Sequence, residues 1–80
     1  MNEYIATFHT HLSALMTSRT LTALGVCAQM MPVPRKLSSS CGTCVRYVCE
    51  EPRLDAMDVD VEGVYEKIGG DDYVLLMEKA

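Results

Sequence analysis

Two cysteines three positions apart, Cys41 and Cys44, close the run Ser38-Ser39-Ser40-Cys41-Gly42-Thr43-Cys44, the stretch of this 80-residue chain best equipped for chemistry. A thiol becomes a nucleophile as its thiolate, which nearby cations and backbone N–H groups stabilise. Arg35 and Lys36 bring two positive charges into the same loop. Ser38, Ser39 and Ser40 add hydroxyls and backbone N–H groups without apolar bulk, and Gly42 permits a positive φ or close approach by another molecule. The residues therefore point to thiol exchange. Cys41 and Cys44 are the expected catalytic pair, and Arg35, Lys36, Ser38, Ser39, Ser40 and Gly42 are the expected substrate-binding surround.

The Cys-x-x-Cys spacing by itself is shared by redox couples, zinc sites and iron–sulfur sites, and the chain holds one such pair. Zinc would need two further ligands, for which Cys27 and Cys49 are the candidates. A strand starting near Thr43 sends Cys44 and Cys49 to opposite faces, which disfavours a shared metal. No metal and no cofactor is expected, and Cys27 and Cys49 are assigned to the core. His9 and His11 read as strand-end residues beside a helix cap, with no third ligand near them in the chain.

Composition narrows the class. Hydrophobic residues make up 49% of the chain and charged residues 22%, which is globular rather than disordered. Eighty residues make one domain, 1–80, with a thin core. The net charge of −4 and only seven lysines and arginines argue against a nucleic-acid partner, because phosphate affinity comes mostly from such residues. No run of about 20 apolar residues offers a membrane span. The first residues lack the pattern of an export signal, so the expected location is the cytoplasm, with the cysteines reduced.

The elements that must position the loop follow from pattern. Residues 3–9 alternate with period two and are apolar on both faces, as in a strand at the middle of a sheet. Residues 10–24 contain no Gly or Pro, start on Thr10 or Ser13 and stop at Gly25, which predicts a helix. Its stripe is Ala14, Thr17, Leu21 and Leu24, with Leu12 and Met16 off it. Residues 26–33 form the next strand, parallel to the first with room for another between them. Pro32 and Pro34 each remove a backbone donor, so this strand belongs at an edge. Residues 43–50 alternate again, with Arg46 solvated. Residues 51–58 offer Pro52 at a first-turn position and predict a short second helix. Residues 58–62 read as an acidic, solvated connector. Residues 63–68 and 73–78 around Gly69-Gly70-Asp71-Asp72 predict a hairpin. Its last strand, apolar on both faces, is either covered or a homodimer contact. The expected fold class is α+β, a two-layer ferredoxin-like β-α-β-β-α-β sandwich with an extra C-terminal strand.

Tyr4-Ile5-Ala6-Thr7-Phe8, Met31-Pro32-Val33-Pro34-Arg35, Ser38-Ser39-Ser40-Cys41-Gly42, Val45-Arg46-Tyr47 and Val61-Glu62-Gly63-Val64-Tyr65 resemble a family of small bacterial domains described as selenium/sulfur carrier-like proteins. The resemblance runs to about Tyr65, and the proline-to-cysteine run is its most specific part. It implies a compact α/β domain with Cys41 carrying sulfur or selenium, and donor and acceptor proteins as partners. The shortened second helix and the tail from Gly69 depart from the family pattern. Beside this, thiol chemistry gives a route: a Cys41 thiolate takes sulfur from a donor persulfide, and Cys44 then attacks the adduct or passes the sulfur on. Three readings stand: a carrier acting through Cys41, a non-catalytic interaction module with incidental cysteines, and a small Cys-x-x-Cys redox or zinc-binding domain.

Overall fold

A computed structural model describes residues 1–79. Five strands and one α-helix follow in the order β1 (Asn2–Phe8), α1 (His11–Ala23), β2 (Cys27–Pro32), β3 (Thr43–Cys49), β4 (Val61–Gly69) and β5 (Asp72–Glu78). They form one sheet in the order β2-β3-β1-β4-β5, every neighbouring pair antiparallel. The class is therefore α+β. β1 lies at the centre and β2, which ends on Pro32, at an edge, so the missing donor of Pro32 needs no strand partner; Pro34 lies in the loop beyond it.

The alternation of β1 explains the two layers. Tyr4, Ala6 and Phe8 join Val45, Tyr47, Val64 and the helix residues Ala14 and Leu21 in one apolar cluster. Ile5 and Thr7 point the other way and are still only 1% exposed. The loop between β2 and β3 crosses to β1 and β4: Ser39 Oγ bonds the Phe8 carbonyl and the Glu62 carboxylate, and Lys36 and Leu37 line one cleft with Tyr65 and Tyr73. The loop that carries Cys41 is thus tied to the sheet as well as connecting two of its strands.

The helix is held by its ends and by hydroxyls. Thr10 caps it, its Oγ1 accepting from the Ser13 amide at 3.1 Å, and Gly25 closes it at φ 82°. Its buried stripe is Ser13, Ala14, Thr17 and Leu21. The two polar members are satisfied: Ser13 Oγ donates to Asp58 Oδ2 at 2.8 Å, and Thr17 Oγ1 accepts from the Asp58 amide at 3.0 Å. Leu24, expected on the stripe, is half-exposed, as are Leu12 and Met16.

The second helix of the expected sandwich is not formed. Only a single 3-10 turn, Leu54–Ala56, stands there. Arg53 adopts φ 51°, a left-handed conformation that interrupts a right-handed helix, while the Tyr47 hydroxyl donates to the Pro52 carbonyl and Thr17 takes the Asp58 amide. Side-chain bonds from outside the segment, Tyr47 at one end and Thr17 at the other, outweigh a local helix signal. The acidic connector is also corrected, because Val61 is 4% exposed and β4 begins there. No helix among the described residues is long and apolar enough to cross a membrane.

Candidate functional site

The loop 33–42 leaves edge strand β2 and is closed at its base by the Val33 amide donating to the Gly42 carbonyl at 3.1 Å. Gly42 stands at φ 74°, the positive value anticipated from its type, and reverses the chain into β3. Cys41 therefore sits at the end of the loop, two residues before the sheet resumes at Thr43. Its side chain is half-buried against the apolar cluster, and its thiol donates to the Thr43 carbonyl at 3.4 Å.

A carboxylate organises the serines. Ser39 Oγ lies 2.8 Å from Glu62 Oε1 and 2.7 Å from the Phe8 carbonyl, sharing one proton between two acceptors. The Ser40 amide donates to Glu62 Oε1 at 3.0 Å, and Ser40 Oγ to Oε2 at 2.8 Å. Ser39 Oγ is also 3.9 Å from the Cys41 sulfur. His9 Nδ1 approaches Glu62 Oε2 and Ser40 Oγ at 3.4 Å each, and His11 Nδ1 approaches Thr43 Oγ1 at 3.4 Å. Both histidines flank the helix cap as expected; His9 also reaches the cysteine loop at Ser40, and His11 reaches Thr43 at the start of β3.

Register explains why Glu62 faces the loop. Thr7 pairs with Gly63 but the next residue, Phe8, pairs with Val61, so Glu62 is the extra residue of a β-bulge. A bulge re-aims the side chain it inserts. Burial alone would raise the Glu62 carboxyl, but the Ser39 and Ser40 hydroxyls, the Ser40 amide and the His9 ring together hold it below the usual carboxylate range. Sequence reasoning placed Glu62 in a solvated connector. The alternation Val59, Val61, Gly63 against Asp58, Asp60, Glu62 carried a strand signal, but no local pattern marks a bulge.

The remaining candidates are distributed differently. Cys44 is fully buried, pairs with Thr7 on the face away from α1, and has its sulfur 3.7 Å from the Pro32 carbonyl. Burial pushes its thiol up to about 11, with the neighbouring Cys41 adding to the effect. Arg35 and Lys36 are exposed, and among the described residues neither makes a hydrogen bond or ion pair with Cys41. Lys36 instead lines a cleft with Asp71 and Asp72 of the hairpin turn. Ser38 is exposed beside Glu62 and Tyr65.

Two further assignments change. Cys27, expected in the core, is exposed, because it begins the edge strand beyond the reach of both helix and loop. Arg46 is not simply solvated: its Nε is 2.7 Å from Glu3 Oε2, whose other neighbour is Lys67 Nζ at 3.9 Å. The hydrogen bond from Arg46 lowers the Glu3 carboxyl against the opposing effect of burial. Cys49 is buried in the cluster on the α1 side, so Cys44 and Cys49 do face opposite ways along β3.

A family model described as "Putative Se/S carrier protein-like" matches residues 3–66. Among curated proteins, the chain is similar to the "Uncharacterized protein YtiA" of Escherichia coli (strain K12), with 31% identity over 68 residues, covering 85% of this chain and 78% of that protein. No solved structure matches.

Proposed function

The chain belongs to the Se/S carrier protein-like family, and from that premise we propose that it carries sulfur or selenium as an adduct on Cys41, taken from one protein and handed to another. The observation that supports this most is the setting of Cys41, a half-buried thiol at the end of a loop whose hydroxyls are tied down by Glu62. A carrier must present its sulfur in one geometry to two different partners, and a pinned loop lowers the entropy lost at each encounter.

The transfer step balances as thiol exchange. The Cys41 thiolate attacks the outer sulfur of a donor persulfide, R–S–SH. A new S–S bond forms, the old one breaks, and its electron pair leaves on the donor sulfur, which takes up a proton as R–SH. An acceptor thiolate then removes the sulfur from Cys41–S–SH by the same step in reverse. Gly42 leaves space on one side of the adduct, with no heavy atom within 4 Å of where a Cβ would sit. Ser38, Arg35 and Lys36, exposed along the loop, are the groups proposed to meet the partner. Cys44 is proposed as a packing residue here, since a thiol held neutral to about 11 is a poor resolving nucleophile. The proposed setting is the cytoplasm, where thiols stay reduced.

The test is to incubate the protein with a cysteine desulfurase and cysteine and record the intact mass. One added sulfur, lost in Cys41→Ser and kept in Cys27→Ser and Cys44→Ala, is expected. Absence of the adduct in the wild type, or its survival in Cys41→Ser, would overturn the reading.

A further inference from the structure

His9 lies between the last residue of β1 and the Thr10 cap of α1, with its side chain 44% exposed. Its Nδ1 is 3.4 Å from Glu62 Oε2 and 3.4 Å from Ser40 Oγ. Ser40 has one hydroxyl proton, and that proton goes to Glu62 Oε2 at 2.8 Å. Both neighbours of Nδ1 therefore face it as acceptors. A ring nitrogen set between two acceptors carries the hydrogen, so in the neutral imidazole the free lone pair is on Nε2. Among the described residues Nε2 makes no hydrogen bond. His11 is not set in this way, because its Nδ1 faces the Thr43 hydroxyl at 3.4 Å, and a hydroxyl can donate or accept.

The other groups at the loop are poor bases. The Cys41 sulfur has two polar neighbours, the Thr43 carbonyl at 3.4 Å and Ser39 Oγ at 3.9 Å, and neither takes up a proton near neutral pH. The Glu62 carboxylate already accepts the Ser39 hydroxyl, the Ser40 amide and the Ser40 hydroxyl, bonds that favour its ionised form. His9 meets the loop at Ser40, the chain neighbour of Cys41. An S–S bond is about 2 Å long, so a sulfur attacking the outer atom of a Cys41 persulfide stands roughly 4 Å beyond Cys41 Sγ, among the groups that flank the loop. A base oriented by a carboxylate through one nitrogen and free on the other suits proton transfer to or from such a thiol.

Resting on the carrier reading above, we propose that His9 is the base of the hand-over step and that the acceptor is therefore an ordinary cysteine thiol, largely protonated at neutral pH. The acceptor R–SH gives its proton to His9 Nε2, and R–S⁻ attacks the outer sulfur of Cys41–S–SH. A new S–S bond forms to give R–S–SH, the S–S bond of the adduct breaks, and its electron pair stays on Cys41 Sγ, which takes the proton back from His9. The carrier returns as a thiol and the acceptor leaves as a persulfide, with no other oxidant or reductant. Glu62 is a positioning residue in this step, holding the Nδ1 side of the ring.

The experiment uses the full chain with the exposed Cys27 replaced, Cys27→Ser, loaded by a cysteine desulfurase and cysteine and then desalted. Two small acceptors are compared: 2-mercaptoethanol, almost wholly protonated at neutral pH, and 2,2,2-trifluoroethanethiol, which ionises far more readily. Loss of one sulfur from the intact mass is followed in time. His9→Asn keeps a polar atom near Glu62 and Ser40 but has no Nε2. It is expected to slow transfer to 2-mercaptoethanol by roughly 100-fold and transfer to trifluoroethanethiol much less. Free imidazole should restore part of the rate lost in His9→Ala, and His11→Asn should transfer as the parent does. Transfer at the parent rate in His9→Asn, or equal slowing with both thiols and no rescue by imidazole, would overturn this proposal and leave the carrier reading standing. A parent protein that takes up no sulfur would overturn both.

Discussion

Replacing Glu62 by glutamine isolates the charge that holds the cysteine loop. The carboxylate accepts the Ser39 hydroxyl, the Ser40 amide and the Ser40 hydroxyl, and its side chain is only 21% exposed. Hydrogen bonds to a charged group are worth about 1.5–3 kcal/mol and neutral ones about 0.5–1.5. Glutamine keeps one acceptor oxygen but turns an NH2 toward one of these donors. Three weakened bonds bound the loss near 3 kcal/mol, and their shared geometry reduces it to about 1–2 kcal/mol. For a domain of this size that is a fall of roughly 5–15 °C in Tm. The pH dependence fixes the cause. The Glu62 carboxyl is held below its unfolded value of about 4.3, so its contribution is complete above that value and is lost as pH falls through the lower, folded one. Urea or thermal unfolding of both proteins at neutral pH and near pH 3 measures it, with the gap expected to close in acid. A gap under about 0.5 kcal/mol at neutral pH, within the scatter of ordinary surface changes, or one unchanged in acid, would refute the assignment.

Other perturbations follow from the same contacts. Cys44→Ala should cost about 1 kcal/mol in packing at neutral pH and leave sulfur loading of Cys41 intact by mass spectrometry. Because burial holds the Cys44 thiol up at about 11, the wild type should lose stability relative to this variant as pH rises from the unfolded value toward the folded one; a pH-independent difference in unfolding midpoints would contradict this. Thr17→Val removes the acceptor of the Asp58 amide and should cost about 1–3 kcal/mol, with faster hydrogen exchange at Asp58; unchanged exchange there would show that the bond is not formed.

Where local pattern and tertiary packing agree, the sequence was easy to read. β1 is apolar on both faces because a helix covers one and a loop the other. Pro32 ends a strand that lacks an outer neighbour, and Pro34 lies in the loop beyond it. Thr10 and Gly25 bracket α1 by backbone chemistry that needs no distant partner. The second helix was misread for the opposite reason. Pro52 and the early acids favour a helix, but Tyr47, five residues back, and Thr17, in another element, claim the backbone groups at its two ends. Neither claim leaves a mark in the local sequence.

The site divides along the same line. Cys41, the serines and Gly42 were recognisable because a glycine-flanked thiol in a hydroxyl-rich loop is a local arrangement. Its electrostatics were not, because the charge that reaches the serines is Glu62, brought in by a bulge in a strand 22 residues after Ser40, while Arg35 and Lys36 are exposed. Cys27 and Cys49, both expected in the core, differ for a geometric reason: an edge strand leaves its first residue bare, whereas Cys49, at the end of β3, stays buried on the α1 side. The two ends of β3 thus offer a thiol unlike environments, a hydroxyl-rich loop tied to a carboxylate near Cys41 and the apolar cluster on the α1 side at Cys49. A carrier thiol gains from surroundings that do not draw in anionic small molecules, since any such disulfide would compete with its protein donor. On that argument the Glu62 carboxylate, held against Ser39 and Ser40 beside Cys41, favours selectivity in the proposed transfer.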